Sequence, residues 1–216
     1  MTDNKVLTSY EHSSPQDQQS TYDTWANSYE QDLCAMGYRL PALAAGVFAR
    51  FVPPGTGPIL DAGCGGGIQA EALALMGYGP LIGLDLSKGM LDVAESKGIY
   101  SELHHGALGA QLQLPDNSMA AVLCIGTITP NHAPPESFDG LIRVARAGAT
   151  LVFSLRDDDA QDPAYPERVG ALSRQNLWTE LWTSPGFCSM PYGAKEISHR
   201  IHVYRKTDRL SVKRQT

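Results

Sequence analysis

Apolar positions change their spacing several times along the chain, and the changes mark out its elements. Residues 1–20 are polar, rich in Ser, Gln and Asp, and predict a flexible N-terminal arm. Over 21–36, Trp25, Tyr29, Leu33 and Met36 recur every three or four positions, the signature of one helical face, with Gly37 placed to end the helix. A second helix is predicted over 41–51, opened by Pro41 and stopped before Pro53-Pro54. From there short apolar runs alternate with helix-period segments. Strands are predicted at 58–61, 81–86, 99–103, 119–125 and 149–155, and helices at 67–76, 88–97 and 135–146. A helix over about 167–182 and two further strands, at 186–190 and 198–205, complete the reading, the last two pairing with one at an edge. The first five strands are almost continuously apolar. That pattern belongs to a parallel sheet covered on both faces, so the prediction is an α/β fold with a mostly parallel seven-stranded sheet and helices on both sides.

Length and composition narrow this to one domain. A chain of 216 residues with 43% hydrophobic positions can bury one two-sided core but not two ordinary domains. The predicted division is an arm over 1–20, one domain over 21–208 and a flexible tail over 209–216. With 17 basic and 23 acidic residues the formal charge is −6, which gives no general attraction to nucleic acid. The basic cluster Arg200, Arg205, Lys206, Arg209, Lys213 and Arg214 reads as a solvated edge and tail. Cys34, Cys64, Cys124 and Cys188 lie far apart and form no metal-ligand spacing, as expected of scattered thiols in a reducing cytoplasm. No leader or membrane-spanning run is visible, so a cytoplasmic protein is expected. A homodimer fits as well as a monomer.

The candidate chemistry starts at Ile59-Leu60-Asp61-Ala62-Gly63-Cys64-Gly65-Gly66-Gly67, where a strand passes through glycines into a helix. Glycines there allow positive φ and a close approach of backbone to ligand at the carboxyl edge of the sheet. Gly63 and Gly65 repeat the first two glycines of a dinucleotide turn, but Ile68 stands at the third position, and no phosphate-loop lysine follows. Asp61 would repel a pyrophosphate and suits a cation. Asp85 closes the second strand, where a carboxylate can accept both hydroxyls of a ribose. An adenosine joined to a cationic amino acid describes S-adenosylmethionine, and a nicotinamide-dependent oxidoreductase is disfavoured.

These motifs resemble the class I, Rossmann-like S-adenosylmethionine-dependent methyltransferases, over about 22–155. The resemblance implies that Asp61, Gly63, Cys64, Gly65 and Gly67 hold the cofactor's amino-acid moiety, that Asp85 binds its ribose and that Leu86 lies beside its adenine. Ser87, Met90, Leu91 and Ala94 match the family's next helix, and 114–119 (LPDNSM) and 142–155 match later segments. The family's adenine-binding acid is missing from His105-Gly106-Ala107-Leu108-Gly109-Ala110, which leaves backbone at Ala107 and Leu108, or Gln111, to serve. Met119-Ala120 and Gly148-Ala149 are further departures. The opening Tyr22-Asp23, Trp25-Ala26 and Tyr29-Glu30, with Gly37-Tyr38-Arg39 and Pro41, resembles a subgroup that includes a methyltransferase-like protein of the human Williams–Beuren region and the methyltransferase domain of ovothiol-forming enzymes. By that analogy 21–51 forms a helical lid and Tyr22, Tyr29 and Trp25 line the site. The plain alternative is that Trp25 and Tyr29 are the buried face of a helix.

Methyl transfer from a sulfonium asks the protein to align the acceptor, exclude water and, for an amine or hydroxyl, take up a proton. The fourth strand runs into Cys124-Ile125-Gly126-Thr127 and on to His132. Gly126 would admit the cofactor. Cys124 adjoins it, although a thiol there also reads as core. His132 is the candidate base, helped by Tyr22, and Arg156 could pair with an acceptor carboxylate or, equally, with the acidic run 157–159. His104 and His105 fall nearer the adenine. The expected activity is methylation of a nucleophilic S, N or O atom of a small molecule. The alternatives are a protein or nucleic acid methyltransferase, disfavoured by Gly126-Thr127-Ile128-Thr129 where an Asn/Asp-Pro-Pro-Tyr/Phe signature would stand, and a non-enzymatic S-adenosylmethionine-binding protein.

Overall fold

A computed structural model describes Val6 and residues 14–208 of the chain. The predicted tail and most of the predicted arm lie outside the described residues. The elements run α1 (Pro15–Ala35), α2 (Leu40–Phe51), β1 (Ile59–Ala62), α3 (Ile68–Leu75), β2 (Leu81–Asp85), α4 (Lys88–Ser96), β3 (Glu102–His105), β4 (Met119–Cys124), α5 (Ser137–Val144), β5 (Ala145–Arg156), α6 (Ala164–Arg174), β6 (Trp178–Thr183), β7 (Phe187–Met190) and β8 (Ala194–Lys206).

The sheet has the order β3-β2-β1-β4-β5-β8-β6. β1 to β5 pair in parallel, and β8 runs antiparallel to both β5 and β6. β7 pairs antiparallel with Ala194–His199 of β8 while β6 pairs beyond it, so the two short strands share one edge. The Rossmann-like α/β reading therefore holds, with one strand more than predicted. Successive strand residues face opposite cores. Leu60, Ile82, Val122 and Phe153 pack under α5 and α6, whereas Ile59, Leu81, Leu123 and Val152 pack under α2 and α3.

Several predicted boundaries move: β3 lies at 102–105 rather than 99–103, β5 starts at Ala145 inside the predicted helix over 135–146, and β8 starts at Ala194. α1 begins at Pro15, six residues before the predicted start, because Ser14 caps it by accepting from the Asp17 amide at 3.1 Å and Pro15 supplies a preset first turn. The predicted helix over 167–182 ends at Arg174, and 178–183 forms β6. Residues 178–183 pair with β8 instead, with a register shift between Glu180 and Trp182. Trp178 is buried against Phe138, Phe153 and Tyr204. Tertiary packing has overridden a local pattern. Among the described residues no helix is long and apolar enough to cross a membrane.

Candidate active site

The strand order reverses between β1 and β4, which opens a crevice at their carboxyl ends. A cavity of about 350 Å³ occupies it, within the range of small-ligand pockets. Its floor is the turn after β1. The amides of Gly63 and Cys64 both donate to the Leu84 carbonyl, at 2.8 and 3.0 Å, which lays the turn over the end of β2. Gly63, Gly65 and Gly67 have φ of +73°, +52° and +92°. A Cβ on Gly63 would lie 2.3 Å from Thr127 Oγ1, so that position requires glycine on packing grounds as well. A Cβ on Gly65 would meet nothing within 4 Å and would fill space on the cavity wall that a ligand could use.

Asp85 braces this floor and opens onto the cavity. Its Oδ2 accepts from the Gly65 amide and its Oδ1 from the Ser87 amide, both at 2.8 Å. A carboxylate offers about four acceptor sites, so two remain for a diol. Burial raises the Asp85 pKa, opposed by the amides of Ser87, Gly65 and Leu86. Asp61 is fully buried beneath the turn. Gln69 Nε2 donates to its Oδ1 at 3.0 Å and Tyr100 Oη to its Oδ2 at 2.7 Å. Burial pushes the Asp61 pKa up to about 6, the two hydrogen bonds notwithstanding. The folded protein thus prefers the neutral acid, and this contribution to stability is complete below the ordinary value of 3.8 and lost as pH rises through about 6. Urea unfolding of the unliganded protein is expected to show an acid-side gain on the order of 3 kcal/mol, which Asp61→Asn flattens. A wild-type curve identical to the variant's between pH 4 and pH 7 would refute this.

The walls come from α1, the loop after β3 and the loop after β4. Tyr22 and Tyr29 of α1 line the cavity with Cys64, Leu86, Ser87, Met90, Ala107, Leu108, Gly126 and His132. Sequence reading therefore converged on one place. Several of its residues stand off the wall: Trp25 is buried against Tyr22 and Tyr29, and Gln111 does not line the cavity. Asp61 lies under the turn, and Gly67 starts α3 against Tyr100. Cys124 is fully buried in the core. Arg156 forms a buried ion pair with Asp158 at 2.8 Å. Conversely, Gln69, Tyr38, Thr127, Gln18 and Gln19 line the cavity without having been singled out. The glutamines fell in the segment read as arm, and Gln69 had only its place one turn past the glycines to mark it.

The side of the cavity next to β4 has defined chemistry. Tyr22 Oη lies 2.7 Å from His132 Nε2, and His132 Nδ1 lies 3.2 Å from the Pro130 carbonyl. A carbonyl only accepts, so in the neutral ring Nδ1 carries the proton and Nε2 accepts from Tyr22. The Tyr22 ring packs against Trp25 and Tyr29, with centroids 6.1 and 5.9 Å away. α1 is held across the crevice at two points along α4. Asp23 Oδ1 accepts from Ser87 Oγ at 2.5 Å and from the Gly89 amide at 2.9 Å, and Glu30 pairs with Lys97 at 2.6 Å. His105 Nε2 donates to the Leu86 carbonyl at 2.8 Å and braces the wall from behind.

A methyltransferase-domain family profile matches residues 60–153. Over 171 residues the chain is 32% identical to human methyltransferase-like protein 27, covering 76% of this chain and 69% of that protein. It is 30% identical over 100 residues to the ubiquinone biosynthesis O-methyltransferase of Hahella chejuensis, covering 44% of this chain and 42% of the relative. It is also 30% identical over 122 residues to an 18S rRNA (guanine-N(7))-methyltransferase of Arabidopsis thaliana, covering 51% and 39%. The chain thus spans about two fifths of the last two relatives. A solved S-adenosylmethionine-dependent methyltransferase from Thermotoga maritima shares the fold, with a TM-score of 0.65 over 86% of this chain and 98% of that one at 17% identity.

Proposed function

The chain belongs to the S-adenosylmethionine-dependent methyltransferases, and from that membership we propose that it methylates a nucleophilic N, O or S atom of a small molecule, with Tyr22 and His132 taking up the acceptor's proton. The cofactor is S-adenosylmethionine, and the cavity fits it. The open space at Gly65, the spare acceptor capacity of Asp85 and the buried acid Asp61 match an adenosine bearing a cationic amino acid. In this reading Asp85 takes the ribose hydroxyls, the turn 63–67, braced from beneath by the buried Asp61, takes the amino-acid end, and backbone at Ala107 and Leu108 flanks the adenine. Bound there, the cofactor supplies an electrophilic methyl group on sulfur.

The observation that carries the proposal is the 2.7 Å contact between Tyr22 and His132 on the wall of the same cavity. Tyr22 Oη bonds to the acceptor heteroatom and takes its proton as its own passes to His132 Nε2. The Pro130 carbonyl accepts from Nδ1 throughout and steadies the imidazolium. α1, latched by Asp23 and Glu30, serves as a lid that keeps water out. A small acceptor is favoured because α1 roofs the cavity with Pro15, Gln18, Gln19, Tyr22 and Tyr29, which leaves a concave site rather than a long groove. The resemblance of the opening segment to the Williams–Beuren and ovothiol subgroup points the same way.

The test is to incubate the protein and methyl-labelled S-adenosylmethionine with a cell lysate, then separate small molecules, protein and nucleic acid. Label is expected among the small molecules. Label confined to RNA or protein would contradict the small-acceptor reading.

A further inference from the structure

Beside the main cavity lies a second one of about 30 Å³. The two share a wall of Tyr22, Tyr29, Tyr38, Gly126 and His132, and His199 of β8 lines the smaller alone. A space of that size holds a water molecule or a small polar group. His199 is 3% exposed and plays no part in the chemistry described above. Its Nδ1 lies 3.0 Å from Ser189 Oγ, whose own proton goes to the Ile197 carbonyl at 3.4 Å. Nδ1 is therefore the donor, and Nε2 keeps a lone pair. Among the described residues Nε2 has no hydrogen-bond partner. Burial, and then the nearby Arg156 guanidinium opposed by Asp158, push the His199 pKa down to about 4, so the ring is neutral at physiological pH. His199 lines the small cavity, so an acceptor nitrogen with no partner among the described residues is there for a ligand donor to meet.

We propose that the small cavity anchors the acceptor through a second polar group, a hydroxyl or amine whose O–H or N–H donates to His199 Nε2 while a different atom is methylated at Tyr22 and His132. The inference rests on the main cavity being the methyl-transfer site. It specifies the acceptor class as a molecule with two polar groups, one nucleophile and one hydrogen-bond donor. A carboxylate cannot fill the anchor, since its lone pairs would face the lone pair of Nε2.

The test uses the full chain with ¹⁵N-labelled histidine, saturated with S-adenosylhomocysteine, and catechol as probe because its two hydroxyls supply both groups. Catechol is expected to shift the Nε2 resonance of His199 in the direction of hydrogen-bond acceptance, and benzoate is not. His199→Phe is expected to weaken catechol binding by about tenfold or more, with S-adenosylhomocysteine affinity held within about twofold as the check on folding. His199→Gln, which returns an acceptor oxygen, is expected to recover part of the loss. An Nε2 protonated at neutral pH, a resonance that catechol leaves unmoved, or equal catechol binding by His199→Phe would overturn the anchor alone. Failure of the wild-type protein to bind S-adenosylhomocysteine would overturn the reading of the main cavity as well.

Discussion

Replacing His132 with alanine is expected to lower kcat by about 10²- to 10⁴-fold, the usual worth of a positioned general base, while affinity for S-adenosylhomocysteine changes little. The asymmetry follows from placement. His132 sits on the loop after β4 beside Gly126 and Thr127, and it meets Tyr22 from α1 across the cavity. The residues assigned to the adenosine, Asp85 and Leu86, come from the other side of β1. Tyr22→Phe keeps the ring contacts with Trp25 and Tyr29 but removes the hydroxyl that links acceptor and imidazole. If the two residues act as one relay, the double variant loses no more than His132→Ala alone. Added imidazole is expected to restore part of the rate to His132→Ala. Independent, additive losses would argue that each residue merely shapes the wall. The size of the effect also bears on the acceptor, since a thiol loses its proton easily and would show a small loss.

Asp85→Asn is expected to have a comparably large effect on binding, weakening S-adenosylmethionine and S-adenosylhomocysteine alike by about 10²-fold or more. Two hydrogen bonds to a charged acceptor are worth about 1.5–3 kcal/mol each, and every 1.4 kcal/mol is about tenfold. The amide also turns a donor toward the Gly65 or the Ser87 N–H, both of which now point at carboxylate oxygens. That misfit loosens the turn on which the ligand lies. The unliganded fold, by contrast, is expected to keep most of its stability. Burial already holds the Asp85 carboxyl above its ordinary range, so removing the charge offsets part of the lost bonding. Calorimetric titration beside thermal unfolding separates the two effects. Full affinity in a folded Asp85→Asn protein would show that the ribose is held elsewhere.

The sheet was legible where a strand is buried on both faces. β1, β2 and β4 are short apolar runs, and each lies within two residues of its predicted bounds. Legibility fell at the edges. β6 fell inside the predicted helix over 167–182, and only its pairing with β8 could reveal a strand. β3 lies at the other edge, and its last two residues are His104 and His105, which a hydropathy pattern does not mark as strand. The side of the cavity assigned to the cofactor draws on residues that cluster in sequence around two strand ends, at 61–67 and 85–90. Tyr22 and His132 were named separately, yet their contact spans 110 positions and no local pattern contains it. Gln69 and Thr127 gave still less signal. Each is an ordinary polar residue made useful by neighbours, Gln69 by Asp61 and the Gly63 carbonyl, Thr127 by the space that Gly63 leaves. His199 lies within an alternating strand, and only its burial beside the second cavity singles it out.

A crystal structure of the protein with S-adenosylhomocysteine would place the ligand directly against these side chains. The ribose hydroxyls are expected on the Asp85 carboxylate, the amino-acid end over the turn 63–67 and the sulfur facing the side on which Tyr22 meets His132. A ligand bound in that cleft with its sulfur turned away from His132, or bound outside the cleft altogether, would contradict that placement.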